Sequence, residues 1–106
     1  MTKLAQLAAD MRHVVDTTGA TYCHHKLSRG LELALQRTGR GYRLALGRTD
    51  TAPSDTEIEL CIAAFNVPAG AEPNRTTKTR PGKTGTLTYH VAELTWTEQE
   101  QPHALP

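Results

Sequence analysis

The sequence predicts an α+β domain in which an antiparallel β-sheet, centred on a hairpin over residues 31–48, carries two helices on one face. Three observations predict this fold: an amphipathic helical stripe near the start, a leucine-rich hairpin, and a capped helical segment after it. Helices with one apolar side and a sheet with one apolar face bury those surfaces by packing in two layers. A chain of 106 residues is long enough for one such core.

The first helix is predicted over about residues 3–16. Its apolar residues recur at spacings of three and four, which places them on one side of a helix. They are Leu4, Leu7, Ala8, Met11, Val14 and Val15. A helix of this length is not stable alone in water, so the stripe predicts a partner surface.

The hairpin is the clearest local signal. A two-residue turn at Gly39 and Arg40 pairs Leu35 with Leu44, and this register places four leucines on one face of the hairpin. A shift of the pairing by one residue would break this arrangement, so the register is well specified. Glycine at the first corner predicts a type II′ turn. The opposite face is small and polar, and we expect it to face solvent or a partner. It consists of Glu32, Ala34, Gln36, Arg43, Ala45 and Gly47.

The second helix is predicted over about residues 55–66. Ser54 and Glu57 have the spacing of a capping box, and Pro68 follows the end of the helix. We expect a first strand over residues 20–27 and a final strand over residues 86–97. Residues 68–85 are rich in Pro and Gly, which predicts a long connection. A short strand over residues 76–80 within this connection is an alternative that the sequence does not decide.

The predicted organisation is one α+β domain over residues 1–98 followed by a flexible tail over 99–106. The order α–β–β–β–α over residues 3–66 resembles the double-stranded-RNA-binding fold in topology only. The basic signature that this fold carries at its second helix is absent, because residues 54–65 contain acids and no Lys or Arg. No residue role is therefore transferred from that family.

The charges are segregated along the chain, although 12 Lys+Arg and 11 Asp+Glu leave a net charge of only +1. Residues 31–48 contain four arginines and one acid, residues 49–74 five acids and no base, and residues 75–85 four bases and no acid. Two interpretations stay open: neighbouring elements neutralise each other, or the bases form a face for a polyanion.

The functional hypothesis is a small binding protein without a catalytic centre or cofactor, which associates with nucleic acid through a basic hairpin tip and a basic loop. The candidate residues are Arg37, Arg40, Arg43, Arg75, Lys78, Arg80 and Lys83. The alternative is a protein-interaction or assembly subunit, including self-association, with no nucleic-acid role. Salt dependence of binding separates the two.

Metal and catalytic sites find little support in the sequence. Zinc-type ligands are present, but their spacing matches no zinc motif. They are Cys23, His24, His25, Cys61 and His90. A Cys23–His nucleophile lacks a local signature, and Gly82-Lys83-Thr84 lacks the strand and helix of a phosphate-binding loop.

The compartment is predicted from what the sequence lacks. No apolar run approaches the ~18 residues of a membrane span, and no export signal precedes the first helix. Two cysteines do not make a disulfide framework. We therefore expect a cytoplasmic protein with no membrane role.

Overall fold

The computed structural model of the chain describes residues 3–18, 22–27 and 30–97. The elements follow in the order α1 (Lys3–Thr17), β1 (Tyr22–Lys26), β2 (Glu32–Arg37), β3 (Gly41–Arg48), α2 (Asp55–Ala64), β4 (Asn74–Gly82) and β5 (Gly85–Thr97). The strands form one antiparallel sheet in the order β1-β2-β3-β5-β4. The α+β fold predicted from the sequence is confirmed. The predicted tail, residues 99–106, lies outside the described residues.

The β2–β3 hairpin has the predicted register, with Leu35 opposite Leu44 and Leu33 opposite Leu46. All four leucines are completely buried. The turn type was predicted wrongly: Gly39 does not adopt the positive φ that a type II′ turn requires at its first corner. Burial of the leucines fixes the register, so the hairpin does not depend on one turn geometry.

Both helices pack on the leucine face of the sheet, where they form one core with β2, β3 and β5. Tyr42 connects the end of α1 to this core, because its hydroxyl donates to both carboxylate oxygens of Asp16 at 2.9 Å. The pKa of Tyr42 is raised, chiefly because the hydroxyl is partly buried and secondly because it donates to Asp16. The guanidinium carbons of Arg12 and Arg37 each lie 4.7 Å from the centroid of its ring.

The capping box at the start of α2 is confirmed. The Glu57 backbone N–H donates to Ser54 Oγ at 3.1 Å, and the Ser54 N–H donates to Glu57 Oε1 at 3.0 Å. The helix ends at Ala64, two residues before the predicted end. Asn66 then adopts a left-handed conformation with φ 55°, a common way to end a helix.

The segment over residues 68–85 contains more regular structure than the sequence indicated. Residues 74–82 form the whole of β4, a nine-residue strand that pairs along its length with β5. All nine residues are exposed, so β4 has no buried face and no apolar alternation for a sequence pattern to reveal. Backbone pairing with β5 holds it in place. Among the described helices, none has the length and apolar character needed to cross a membrane.

Candidate functional site

The face of the sheet away from the helices, here called the open face, is not covered by either helix. Side chains alternate between the two faces along each strand, so the register assigns every second residue to this face. Its centre is made of the small residues Ala34, Ala45 and Gly47. Val91 lies beside Gly47 and is only 9% exposed, although it is outside the core cluster beneath the helices. Neighbouring side chains on the open face therefore enclose it.

The open face contains a groove of ≈ 350 Å³. Its floor includes Ala34, Ala45, Gly47 and Val91, and its walls come from opposite edges of the sheet. β1 contributes Tyr22 and His24 to one wall, and the β4–β5 hairpin contributes the other, formed by Lys78, Arg80 and Tyr89. Edge strands separated by three others line one groove only if the sheet is curved, and twisted antiparallel sheets curve in this way.

Flat side chains line both walls. The rings of Tyr22 and His24 are parallel to within 5°, with centroids 6.5 Å apart, and Tyr22 is 54% exposed. On the opposite wall, the guanidinium carbon of Arg80 lies 4.4 Å from the centroid of the Tyr89 ring. Tyr89 leans over the floor, since a Cβ built on Gly47 would lie 3.9 Å from its Cδ1. The groove therefore offers stacking planes on two sides.

The open face carries more positive than negative charge. By strand alternation it holds four cations and two carboxylates. They are Lys26, Arg43, Lys78, Arg80, Glu32 and Glu93. Glu93 lies 3.7 Å from Lys78 Nζ, and Glu32 Oε1 lies 2.8 Å from His24 Nε2. An exposed surface of this kind attracts anions at low salt.

The structure distributes the seven predicted cations over three places. Arg43, Lys78 and Arg80 are on the open face. Arg37 and Arg75 are on the helix face, where their guanidinium nitrogens lie 3.5 Å from Asp16 and 2.8 Å from Asp55. A second nitrogen of Arg75 donates to the carbonyl of Pro53 at 2.9 Å.

The last two predicted cations, Arg40 and Lys83, lie in turns at opposite ends of the sheet. Gly41, which follows the β2–β3 turn, pairs with Thr97, the last residue of β5. The β4–β5 turn, in contrast, lies directly before Gly85, the first residue of β5. The basic segments therefore do not form one continuous surface. On the helix face, Arg37, Arg75 and Arg48 each contact an acid, and Arg48 contacts both Asp50 and Glu57. The open face, with four cations and two carboxylates, keeps an excess of positive charge.

The five candidate metal ligands do not gather into a cluster. Alternation along β1 places His24 on the open face and Cys23 and His25 on the helix side. Cys61 is buried on α2, and burial raises the pKa of its thiol to about 11, which disfavours the thiolate that binds metals or attacks substrates. The described residues contain no group of three or more His, Cys, Asp or Glu side chains placed to hold a metal ion.

Sequence reasoning missed the aromatic and acidic members of the groove. Tyr22, His24, Glu32 and Tyr89 were not among the predicted site residues. Alternation within β1 and within β5 was visible and assigns each side chain to one face of its own strand. The strand order that brings Tyr22 and Tyr89 to the same groove depends on pairing between distant segments, which no local pattern reports.

A larger cavity of ≈ 660 Å³ lies on the helix side, between the start of α1, α2 and the loop before it. Its apolar lining is provided chiefly by Leu4, Leu27, Leu31 and Leu60. Its arginine, Arg48, already contacts Asp50 at 3.0 Å and Glu57 at 2.7 Å. The lining of this cavity is more apolar than that of the groove.

Comparisons with protein-family models, with curated proteins and with solved structures find no match for this chain. The function is therefore inferred from the chemistry of the open face.

Proposed function

We propose that this protein binds single-stranded nucleic acid across the open face of its sheet. The observation that carries the proposal is the combination of planar rings and cations around one groove with a small-residue floor. Aromatic rings and guanidinium planes stack unpaired bases, and Lys and Arg neutralise phosphates. Open β-sheet faces with exposed aromatic residues are a recurrent platform for this type of recognition.

The groove residues have complementary roles in the proposal. Tyr22, His24 and Tyr89 supply faces for bases, with Arg80 extending the stack on Tyr89. Lys78 and Arg43 lie on the same face and contact the phosphate backbone, and the charge of Arg80 supplies a third phosphate contact. The floor of Ala34 and Gly47 lets a flat base approach the sheet closely, because neither residue has a side chain that fills the space.

A single strand fits this surface better than a duplex. The faces of bases in a duplex are stacked on one another and are not available for stacking on side chains, whereas unpaired bases splay out and stack on aromatic residues. A groove of ≈ 350 Å³ is at the small end of the range that encloses a small ligand, which suits one unpaired base. The basic turns at Arg40 and Lys83 are at opposite ends of the sheet, so they do not form one ribbon for a duplex groove.

The alternative partner is another protein, or a second copy, added at a sheet edge. β4 is an edge strand of nine exposed residues. It carries Lys78, Arg80 and Pro81, and charged residues and proline on an edge strand protect it from pairing with another chain. β1, the other edge, is only five residues long and ends in Lys26, which protects it in the same way. The geometry of the two edges therefore supports the alternative less than the nucleic-acid proposal.

Fluorescence anisotropy with a labelled single strand of about nine nucleotides tests the proposal, since single-strand binding folds contact roughly 4–16 nucleotides. We expect binding at about 50 mM salt and marked weakening at about 200 mM. Three phosphate contacts predict a slope near −2 for log affinity against log salt. A duplex of the same sequence is expected to bind more weakly.

The double variant Lys78→Gln/Arg80→Gln is expected to lose about tenfold or more in affinity, from two phosphate contacts and one stacking plane. Arg75→Gln is the control, because it removes one positive charge from the same strand on the other face, and its loss is compared with half of the double variant's loss in log affinity. No binding at low salt contradicts the proposal, and so does an equal loss per charge in the control.

A further inference from the structure

We propose that the groove selects guanine, and that Glu32 is the residue that reads it. The inference rests on the proposed function and adds a specificity to it. It depends on the position of the Glu32 carboxylate in the groove, on its single hydrogen-bond partner, and on the pattern of donors that each base presents.

Glu32 lies beside the groove floor. It pairs in register with Gly47 on β3 and lines the groove together with His24 and Ala34. Its side chain is 19% exposed, so a ligand in the groove reaches a carboxylate that is partly removed from water. Charge-assisted hydrogen bonds to such a group are stronger than those between neutral partners.

His24 holds that carboxylate and leaves part of it free. His24 Nε2 lies 2.8 Å from Glu32 Oε1, and because an ionised carboxylate only accepts, the histidine nitrogen is the donor. Among the described residues, Oε2 has no hydrogen-bond partner. An ionised carboxylate has about four acceptor positions, so three remain for a ligand. His24 therefore acts as a positioning residue for Glu32.

Guanine is the base whose edge matches a carboxylate. Its Watson–Crick edge presents two adjacent donors, N1–H and the N2 amino group, which bond to the two oxygens of one carboxylate. Adenine and cytosine present an amino group beside a ring nitrogen that accepts, and uracil presents one N–H between two carbonyls. In each of those bases an acceptor faces a carboxylate oxygen, which is repulsive.

The test uses three labelled RNA strands: one made only of uridine, one with a single central guanosine, and one with inosine at that position. Inosine keeps N1–H but lacks the N2 amino group. We expect the guanosine strand to bind about tenfold more tightly than the uridine strand, with the inosine strand between them. The readout is the ratio of affinities, because it does not depend on the overall charge.

Glu32→Gln is expected to reduce the guanosine-to-uridine ratio to about one, since an amide presents one acceptor beside one donor. Glu93→Gln is the matched control. It removes the same charge from the same face but lies outside the groove lining, so both variants gain general affinity and only Glu32→Gln loses the preference. Thermal unfolding of each variant verifies that it is folded.

The outcomes separate this inference from the proposed function. Binding to all three strands with equal affinity, or a guanosine preference that survives in Glu32→Gln, contradicts the guanine inference and leaves single-strand binding standing. Absence of binding to every strand contradicts both.

Discussion

The guanidinium of Arg80 lies over the ring of Tyr89, with 4.4 Å between the guanidinium carbon and the ring centroid. The pair joins a cation on β4 to an aromatic residue on β5 and forms one wall of the groove. Arg75, on the same strand, reaches the other face and contacts Asp55. Two cations five residues apart thus lie on different faces of the sheet, so the basic segment does not form one surface.

Tyr89→Leu is expected to weaken single-strand binding about tenfold, because base–aromatic stacking contributes roughly 1–3 kcal/mol per base. The fold is expected to be retained, since Tyr89 is outside the core. Tyr42→Phe is the reciprocal control: it removes the hydrogen bonds to Asp16 and lowers the free energy of unfolding by about 1 kcal/mol without changing the affinity. Anisotropy and urea unfolding measure the two quantities. Equal affinity for Tyr89→Leu and the native protein would argue against stacking on this wall.

Gly47→Val is expected to block the groove without harming the fold. Gly47 does not have a positive φ, and a Cβ there makes only ordinary contact with Tyr89, so the backbone accepts a side chain at this position. Because β-branched residues favour strands, we expect the free energy of unfolding to stay the same or to rise by up to about 1 kcal/mol. The valine methyl groups would occupy the floor, and affinity is expected to fall at least about tenfold, as for loss of one stacked base. Thr95→Val, on the open face but outside the groove lining, is the control. Undiminished binding by Gly47→Val would place the ligand elsewhere.

Asp50 is expected to titrate at low pH. Its hydrogen bonds from Arg48 and from the Thr51 backbone lower its pKa from 3.8 to about 2. Because the folded pKa is lower than the unfolded one, the stabilisation from this pair is fully present above pH 4 and is lost as the pH falls through about 2. Carboxyl NMR titration is the measurement, with Arg48→Gln expected to raise the Asp50 pKa towards 3.8 and Arg43→Gln to leave it unchanged. A native Asp50 pKa near 3.8 would contradict the pairing.

Gly41→Ala is expected to destabilise the hairpin. A Cβ on Gly41 would collide with the carbonyl oxygen of Trp96 on the neighbouring strand, and backbone there cannot yield as a flexible side chain does. Overpacking of this kind costs about 1–3 kcal/mol, which urea unfolding detects. Gly39→Ala is the control, since a Cβ at Gly39 meets nothing within 4 Å. If the two variants are equally stable, β3 and β5 do not approach so closely at this position.

Local patterns were sufficient for much of the fold and insufficient for the groove. The register of Leu35 with Leu44 and the capping box at Ser54 follow from residues close in sequence, and both are confirmed. β4 was recognised only in part, because none of its residues is buried. The groove depends on a curved sheet that brings Tyr22 towards Tyr89, across 67 residues of chain. Such long-range pairing is decided by the packing of the whole sheet, and no local spacing encodes it.

Methyl NMR during titration with a single strand tests the central claim most directly, because methyl groups report the face of the sheet on which they lie. Ala34, Ala45 and Val91 have their methyl groups on the open face, and we expect their signals to shift as the strand is added. The signals of Ile58 and Leu60 on α2 are expected to stay unchanged. Shifts confined to α2, or no shifts at low salt, would contradict the assignment of the open face as the binding surface.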